Sequence, residues 1–334
     1  MTTRRATHAD NAWYTKNGPE LNSQLENWLQ GVDRDENIRN IEPSELPLPG
    51  ARIIIAPHAG YAYSGAPAGW AYKSLDLSTV KRIFILGPSH HVYFTNCKLS
   101  ACDYYATPLG NLTLDKACLA DLSKTKTPKF DWMSQSEDER EHSIEMQLPY
   151  IYKLLSDANK LDTVKIVPIM IGNISDASEK AYGKILAEYA INPENAFVVS
   201  TDFCHWGTRF QYTHYYKKLP SCCSPGETAE ACNLSRGSSV PGSHEIHESI
   251  KELDFEGINA VLSGSHDNFL KYLHETKNTI CGRHPVGVMM ATLEAAKELD
   301  REERRFTLVE YKQSSQVTRI SDSSVSYVSA FAVV

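Results

Sequence analysis

The stretch 52-RIIIAPHAGYAYSG-65 decides how this sequence is read. Its first half is apolar without alternation, the pattern of a strand covered on both faces rather than one with a wet side. Its second half is a turn of small residues that carries one imidazole, His58, directly after the apolar run. Three more runs of the same kind lie further along: 82-RIFIL-86, 164-VKIVPIMI-171 and 196-AFVVS-200. Helical spacing separates them, as in Leu21, Leu25, Trp28 and Leu29 after 17-NGPE-20, and in Tyr182, Ile185, Leu186 and Tyr189 after the capping sequence 175-SDAS-178. Strands alternating with helices predict an α/β fold with a mainly parallel central sheet flanked by helices. Helical patterns follow at 248–262, 266–275 and 286–299, and two further strands are expected at 305–315 and 324–334.

No repeat divides the 334 residues, so a single domain over 1–334 is the expectation. The segment 219–249 is rich in Ser, Gly, Pro and Cys and reads as a flexible insertion. Cys222, Cys223, Cys232, His244 and His247 within it are residue types that bind zinc, but their irregular spacing does not match the paired motifs of structural zinc sites. With 42% hydrophobic and 22% charged residues the composition is that of an ordinary globular protein, and the net charge of −7 offers no basic footprint for nucleic acid. No apolar run approaches the ~20 residues of a membrane span, and no apolar leader follows the first arginines. Eight cysteines without such a leader predict reduced thiols, and the chain is expected in the cytoplasm, with the nucleus also open to it.

Ligands of open α/β sheets bind beyond the carboxyl ends of the strands. Three of the four apolar runs place polar side chains there: His58 after the first, His90 and His91 after the second, Asp202 and His205 after the last. If those strands are parallel, the imidazoles meet at one rim. Imidazole suits zinc, copper and iron, and a third donor is available in Asp202, Cys281 or His284. Cys281 precedes a helical pattern in 280-ICGRHPVG-287, where the helix dipole favours a thiolate that ionises near neutral pH. In 136-SEDEREHSIEMQLPY-150, Asp138, Glu139 and Glu141 read as a solvated charge run, His142 as the member that faces inward, Ser143 as a helix cap and Pro149 as a kink.

Taken together, APHAGYAYSG, ILGPSHHV, DEREHSIEMQLPY, VVSTDFCHWG and NTICGRHPVG resemble the Memo family, named for mediation of ErbB2-driven cell motility. The resemblance runs from 12-AWYTKNGPELNSQLENWL-29 to 322-DSSVSYVSA-330, and the chain departs from animal members in its longer connection near 219–246. It implies a single domain with a fold like that of the class III non-heme extradiol dioxygenases, which hold iron on two histidines and a glutamate. The corresponding metal positions here are His58, His90 and Cys281, and the resemblance selects His90 over His91. It also implies Asp202 and His205 in the same pocket, and His142 and His205 as acid or base toward a substrate.

A thiolate in place of the carboxylate favours copper, with iron as the other redox metal and zinc less favoured. The implied function is metal-dependent redox chemistry tied to cell motility or invasive growth. A different reading is a signalling adaptor whose pocket, framed by Tyr61, Tyr63, Asp202, His205 and Arg283, takes a phosphotyrosine-containing or other peptide. A third is zinc-assisted hydrolysis of a small molecule.

Overall fold

A computed structural model describes residues 1–32, 46–224, 229–237 and 239–334. The four apolar runs become strands whose residues are buried throughout, or all but the first: β1 (Ala51–Ala56), β2 (Arg82–Pro88), β5 (Lys165–Ile171) and β6 (Asn195–Ser200). Each buried Ile, Val, Leu or Phe contributes roughly 1.5–3 kcal/mol, so these strands carry much of the core. Between β2 and β5 lie β3 (Cys97–Ser100) and β4 (Phe130–Met133); after β6 come β7 (His205–Trp206), β8 (Phe306–Gln313) and β9 (Ser324–Val333). They form one nine-stranded sheet of order β7-β9-β1-β6-β2-β5-β3-β4, with β8 paired to β9.

The centre of this sheet, β1-β6-β2-β5, is parallel throughout. Both flanks turn antiparallel, through β9 against β1 and β3 against β5. The expected parallel sheet is therefore its buried middle, and the late strands add an antiparallel margin. The helices are α1 (Gly18–Gln30), α2 (Tyr61–Ser74), α3 (Lys116–Ser123), α4 (Gln135–Arg140), α5 (Leu148–Asp157), α6 (Asp176–Ile191), α7 (Ile246–Leu262), α8 (His266–Thr276) and α9 (Arg283–Asp300). Helix α2 packs on β1, β8 and β9, while α6 and α9 lie along each other against β6, with α9 also reaching β2.

Several local expectations are corrected. Pro149 sits in the first turn of α5, where a missing N–H costs nothing, and it makes no kink. Ser143 does not cap that helix; its hydroxyl donates to the Pro88 carbonyl at 2.7 Å. The acids of the charge run are buried rather than solvated. Asp138 accepts from the buried Arg4 guanidinium at 3.0 Å, Glu139 pairs with Arg5 at 2.6 Å, and Glu141 turns toward His90. The 219–249 segment is not wholly irregular either. Ala231–Asn233 pairs antiparallel with His214–Tyr216, the Tyr215 hydroxyl donates to the His244 carbonyl, and α7 begins at Ile246; residues 225–228 and 238 of the segment lie outside the described ones. All eight cysteines are unbridged.

Candidate metal centre

Strands β1, β6 and β2 are adjacent and parallel, so their carboxyl ends share one edge of the sheet. That edge receives His58 two residues after β1, Asp202 two residues after β6, and His90 two residues after β2. Cys281 reaches the same place from the entry of α9. Gly282 makes this approach available: a Cβ there would stand 2.3 Å from the Thr201 Cβ and 2.5 Å from the Ser200 carbonyl oxygen. Its N–H donates to Thr201 Oγ1 at 3.1 Å, tying the turn to the strand end. One ring nitrogen each from His58 and His90, with the Cys281 sulfur, all lie within 4.8 Å of one another.

The hydrogen bonds fix which nitrogens face inward. Ser200 Oγ donates its one proton to the Ser143 carbonyl at 2.7 Å and accepts from Gln147 Nε2 at 2.9 Å. His58 Nδ1, 2.8 Å from that oxygen, must therefore be a donor, which leaves Nε2 with its lone pair 3.0 Å from the Cys281 sulfur. His90 is held by Glu141 twice, through its backbone N–H at 2.6 Å and through Nδ1 at 2.8 Å. Its remaining nitrogen is the one that meets Cys281 in a side-chain hydrogen bond. Glu141 also accepts from the backbone N–H groups of His142 and Ser143, each at 2.9 Å.

The electrostatics follow from burial and from these partners. Burial, with His90 nearby, pushes His58 well below the usual imidazole range, so the ring is neutral. Burial alone would lower His90, but its hydrogen bonds to Cys281 and Glu141 win and hold it up at about 10. Glu141 resists its burial and stays well below the usual carboxylate range because His90 hydrogen-bonds to it. Burial pushes the Cys281 thiol up, against the helix-dipole expectation of easy ionisation; the hydrogen bond from His90 only partly offsets it. Asp202 is raised by burial as well.

His142 is buried, stacked on His90 at 4.5 Å between ring centroids and tilted against Trp13 at 4.2 Å, and burial pushes it down to about 2. Its Nδ1 has no hydrogen-bond partner. His205 joins the rim with Nδ1 against the carbonyls of Phe203 and Thr279, at 3.0 and 3.1 Å. The cavity above these groups measures about 820 Å³ and is walled by Trp13, Tyr63, Arg209, Phe210 and Tyr327.

Two of the predicted pocket residues lie elsewhere. Tyr61, two positions before Tyr63 on α2, is buried and donates to the Met146 carbonyl, whereas Tyr63 is 61% exposed at the cavity. Arg283 lines a separate cavity with Asp176 and Glu179. His284 is paired with Glu179 rather than with the rim, and His91 takes no part in the ligand group. Among the described residues, the cysteines and histidines of 219–249 form no ligand cluster.

A tetrahedral ion bound at ~2.0 Å to nitrogen and ~2.3 Å to sulfur sets its ligand atoms roughly 3.5 Å apart. The two imidazoles and the thiol meet that requirement with small adjustments, and each ring is oriented by a hydrogen bond at its other nitrogen, as metal-bound histidines are. The residues fit a metal ion. Glu141 is the member of this arrangement that the sequence reading missed. The available signal was the capping box Ser134–Glu137, which places α4 over 135–140 and leaves Glu141 just outside it.

A profile described as "Memo-like protein" matches residues 4–331. The chain belongs to the Memo-like family. Among its relatives, Protein MEMO1 of Danio rerio is 43% identical over 336 residues, covering 100% of this chain and 98% of that one. Human Protein MEMO1 is 43% identical over 326 residues, covering 97% and 95%. A MEMO1 family protein of Schizosaccharomyces pombe is 39% identical over 329 residues, covering 98% of each. This Memo-like chain contains no helix, among the described residues, long and apolar enough to cross a membrane.

Proposed function

We propose that this Memo-like protein binds a redox-active metal through His58, His90 and Cys281, and that metal-dependent redox chemistry in the adjoining cavity serves control of cell motility or invasive growth in the cytoplasm and nucleus. The observation that carries the metal reading is the convergence of two oriented imidazoles on one sulfur. Sulfur is a soft donor and favours Cu(I); the redox reading takes iron as the alternative, while zinc, which thiolate also suits, is the hydrolytic choice. A bound copper or iron ion supplies one-electron chemistry. His142 and His205 stand beside it as proton acceptors for a substrate, and Asp202 orients the His58 loop by accepting its backbone N–H at 2.8 Å. Trp13, beside His142, and Phe210, beside His205, give the cavity apolar walls.

The test is metal content after anaerobic purification. His58→Ala and His90→Ala are each expected to lose most bound copper or iron, and His91→Ala to retain it. A full site in His90→Ala and an empty one in His91→Ala would refute the assignment.

The peptide reading is favoured by one feature, the breadth of the cavity and the character of its lip. Tyr63 is exposed there, and the exposed Arg209 guanidinium lies 4.4 Å from the Phe210 ring centroid. In that reading Tyr63, Arg209 and His205 contact the peptide, and the motility role needs no turnover.

A further inference from the structure

We propose that the pocket takes two cations, with the Cys281 sulfur as the ligand they share. This rests on the metal reading above and adds to it a second ion, of borderline type such as Zn(II) or Fe(II), held by Asp202 and His205.

A carboxylate oxygen of Asp202, a ring nitrogen of His205 and the Cys281 sulfur lie within 4.8 Å of one another, as the His58, His90 and Cys281 atoms do. The two sets have only the sulfur in common. Ligand atoms on opposite sides of one ion stand at most about 4.4 Å apart when bonds are ~2.0–2.3 Å. The five donors do not all fall within 4.8 Å of each other, so they do not close on a single ion, whereas each triad closes on its own.

The second triad is prepared in the same way as the first. Both neighbours of His205 Nδ1 are carbonyl oxygens, which can only accept, so Nδ1 donates to them and Nε2 is the nitrogen left for a ligand. Asp202 is 3% exposed; the titratable groups around it are the imidazoles of His205 and His142, the Cys281 thiol and the Tyr327 phenol, and its hydrogen bonds come from the backbone N–H groups of His58 and Ala59. A buried carboxylate without a cationic partner is costly, and a bound cation would remove that cost. The sulfur itself is oriented between the two triads by the Asp202 backbone N–H, which donates to it at 3.3 Å. A thiolate has lone pairs enough to serve both ions. The Asp202 oxygen makes the second position harder than the first, hence Zn(II) or Fe(II) rather than Cu(I). In this arrangement His205 is a ligand of the second ion and no longer a base.

The experiment is an anaerobic titration of the reduced full chain with Zn(II), counting tightly bound metal per chain after gel filtration. Wild type is expected to retain two equivalents. Asp202→Asn, which keeps the size of the side chain, and His205→Ala should each retain one, and so should His58→Ala. Cys281→Ser should lose most of both. Retention of two equivalents by Asp202→Asn would overturn the proposal, since the second ion would then lie elsewhere, for example on the thiols of 219–249. A single equivalent in wild type that His58→Ala removes and Asp202→Asn keeps would overturn the pair and leave the one-ion reading standing. No uptake by wild type, or a single equivalent that follows Asp202 rather than His58, would overturn both.

Discussion

Two buried glutamates, Glu141 and Glu179, each face histidines, and they leave those rings in opposite states. Glu141 takes the Nδ1 of His90 and leaves the other nitrogen toward Cys281. Glu179, on α6, meets His266 Nε2 and His284 Nδ1, each at 2.6 Å, while the second nitrogen of His284 faces Asn173 Oδ1 at 3.0 Å. The residue types are alike and both carboxylates are buried, but His90 is exposed at the rim whereas His266 and His284 are buried. What differs is whether the carboxylate leaves a nitrogen open to a cavity: the first arrangement, on the metal reading, prepares a ligand, and the second fastens α6, α8 and α9 together.

The contrast is broken most severely at Glu179. Glu179→Ala leaves two histidines facing a void and should cost about 3–5 kcal/mol of unfolding free energy, read by chemical denaturation. Copper affinity of the folded fraction should be unchanged; a parallel loss of affinity would mean that the two clusters are one system.

A third buried acid sharpens the comparison, because it has no imidazole at all. Asp254 accepts from the Tyr311 hydroxyl at 2.9 Å and the Cys204 backbone N–H at 3.2 Å, and burial raises it to about 6 despite those bonds. The folded state therefore holds a proton that the unfolded chain has released. This contribution to stability is fully present below pH ~4 and is lost as pH rises through about 6, by up to roughly 3 kcal/mol. Asp254→Asn should flatten that part of the stability profile, and an unchanged slope would assign it to other groups.

The smallest expected effect is at Glu141. Glu141→Gln keeps the shape but weakens the hold on His90 Nδ1, and copper affinity should fall 10- to 100-fold. Wild-type affinity in this variant would show that Glu141 is a fastening of the second kind.

The same contrast explains what could be read in advance. His58, His90, Asp202 and His205 were legible because each follows a strand whose apolar run is unmistakable, and adjacent parallel strands deliver them to one edge. Glu141 was not, because a glutamate among acids looks solvated until its partner, 51 residues earlier in the chain, is seen beside it. Asp138 was hidden likewise by Arg4, 134 residues away. Tyr61 and Tyr63 share a helix turn and a residue type, and only the packing of α2 says which of them is core. His284 and Cys281 stand three positions apart, yet the helix entry sends one toward Glu179 and the other toward His58.

The position of β9 has a consequence for how the protein is made. It is the last strand in chain order, yet it lies against β1, and its Val325 is paired with His205. A ribosome releases His58 and His90 long before Cys281, which is 223 residues beyond His58, and β9 later still. Throughout that interval the nascent chain holds imidazoles without their thiol and a β1 edge without its neighbour. On the metal reading proposed above, the three ligands are complete only once Cys281 has been made, and a chain that still lacks β9 offers its β1 edge as a template for strand exchange with another copy.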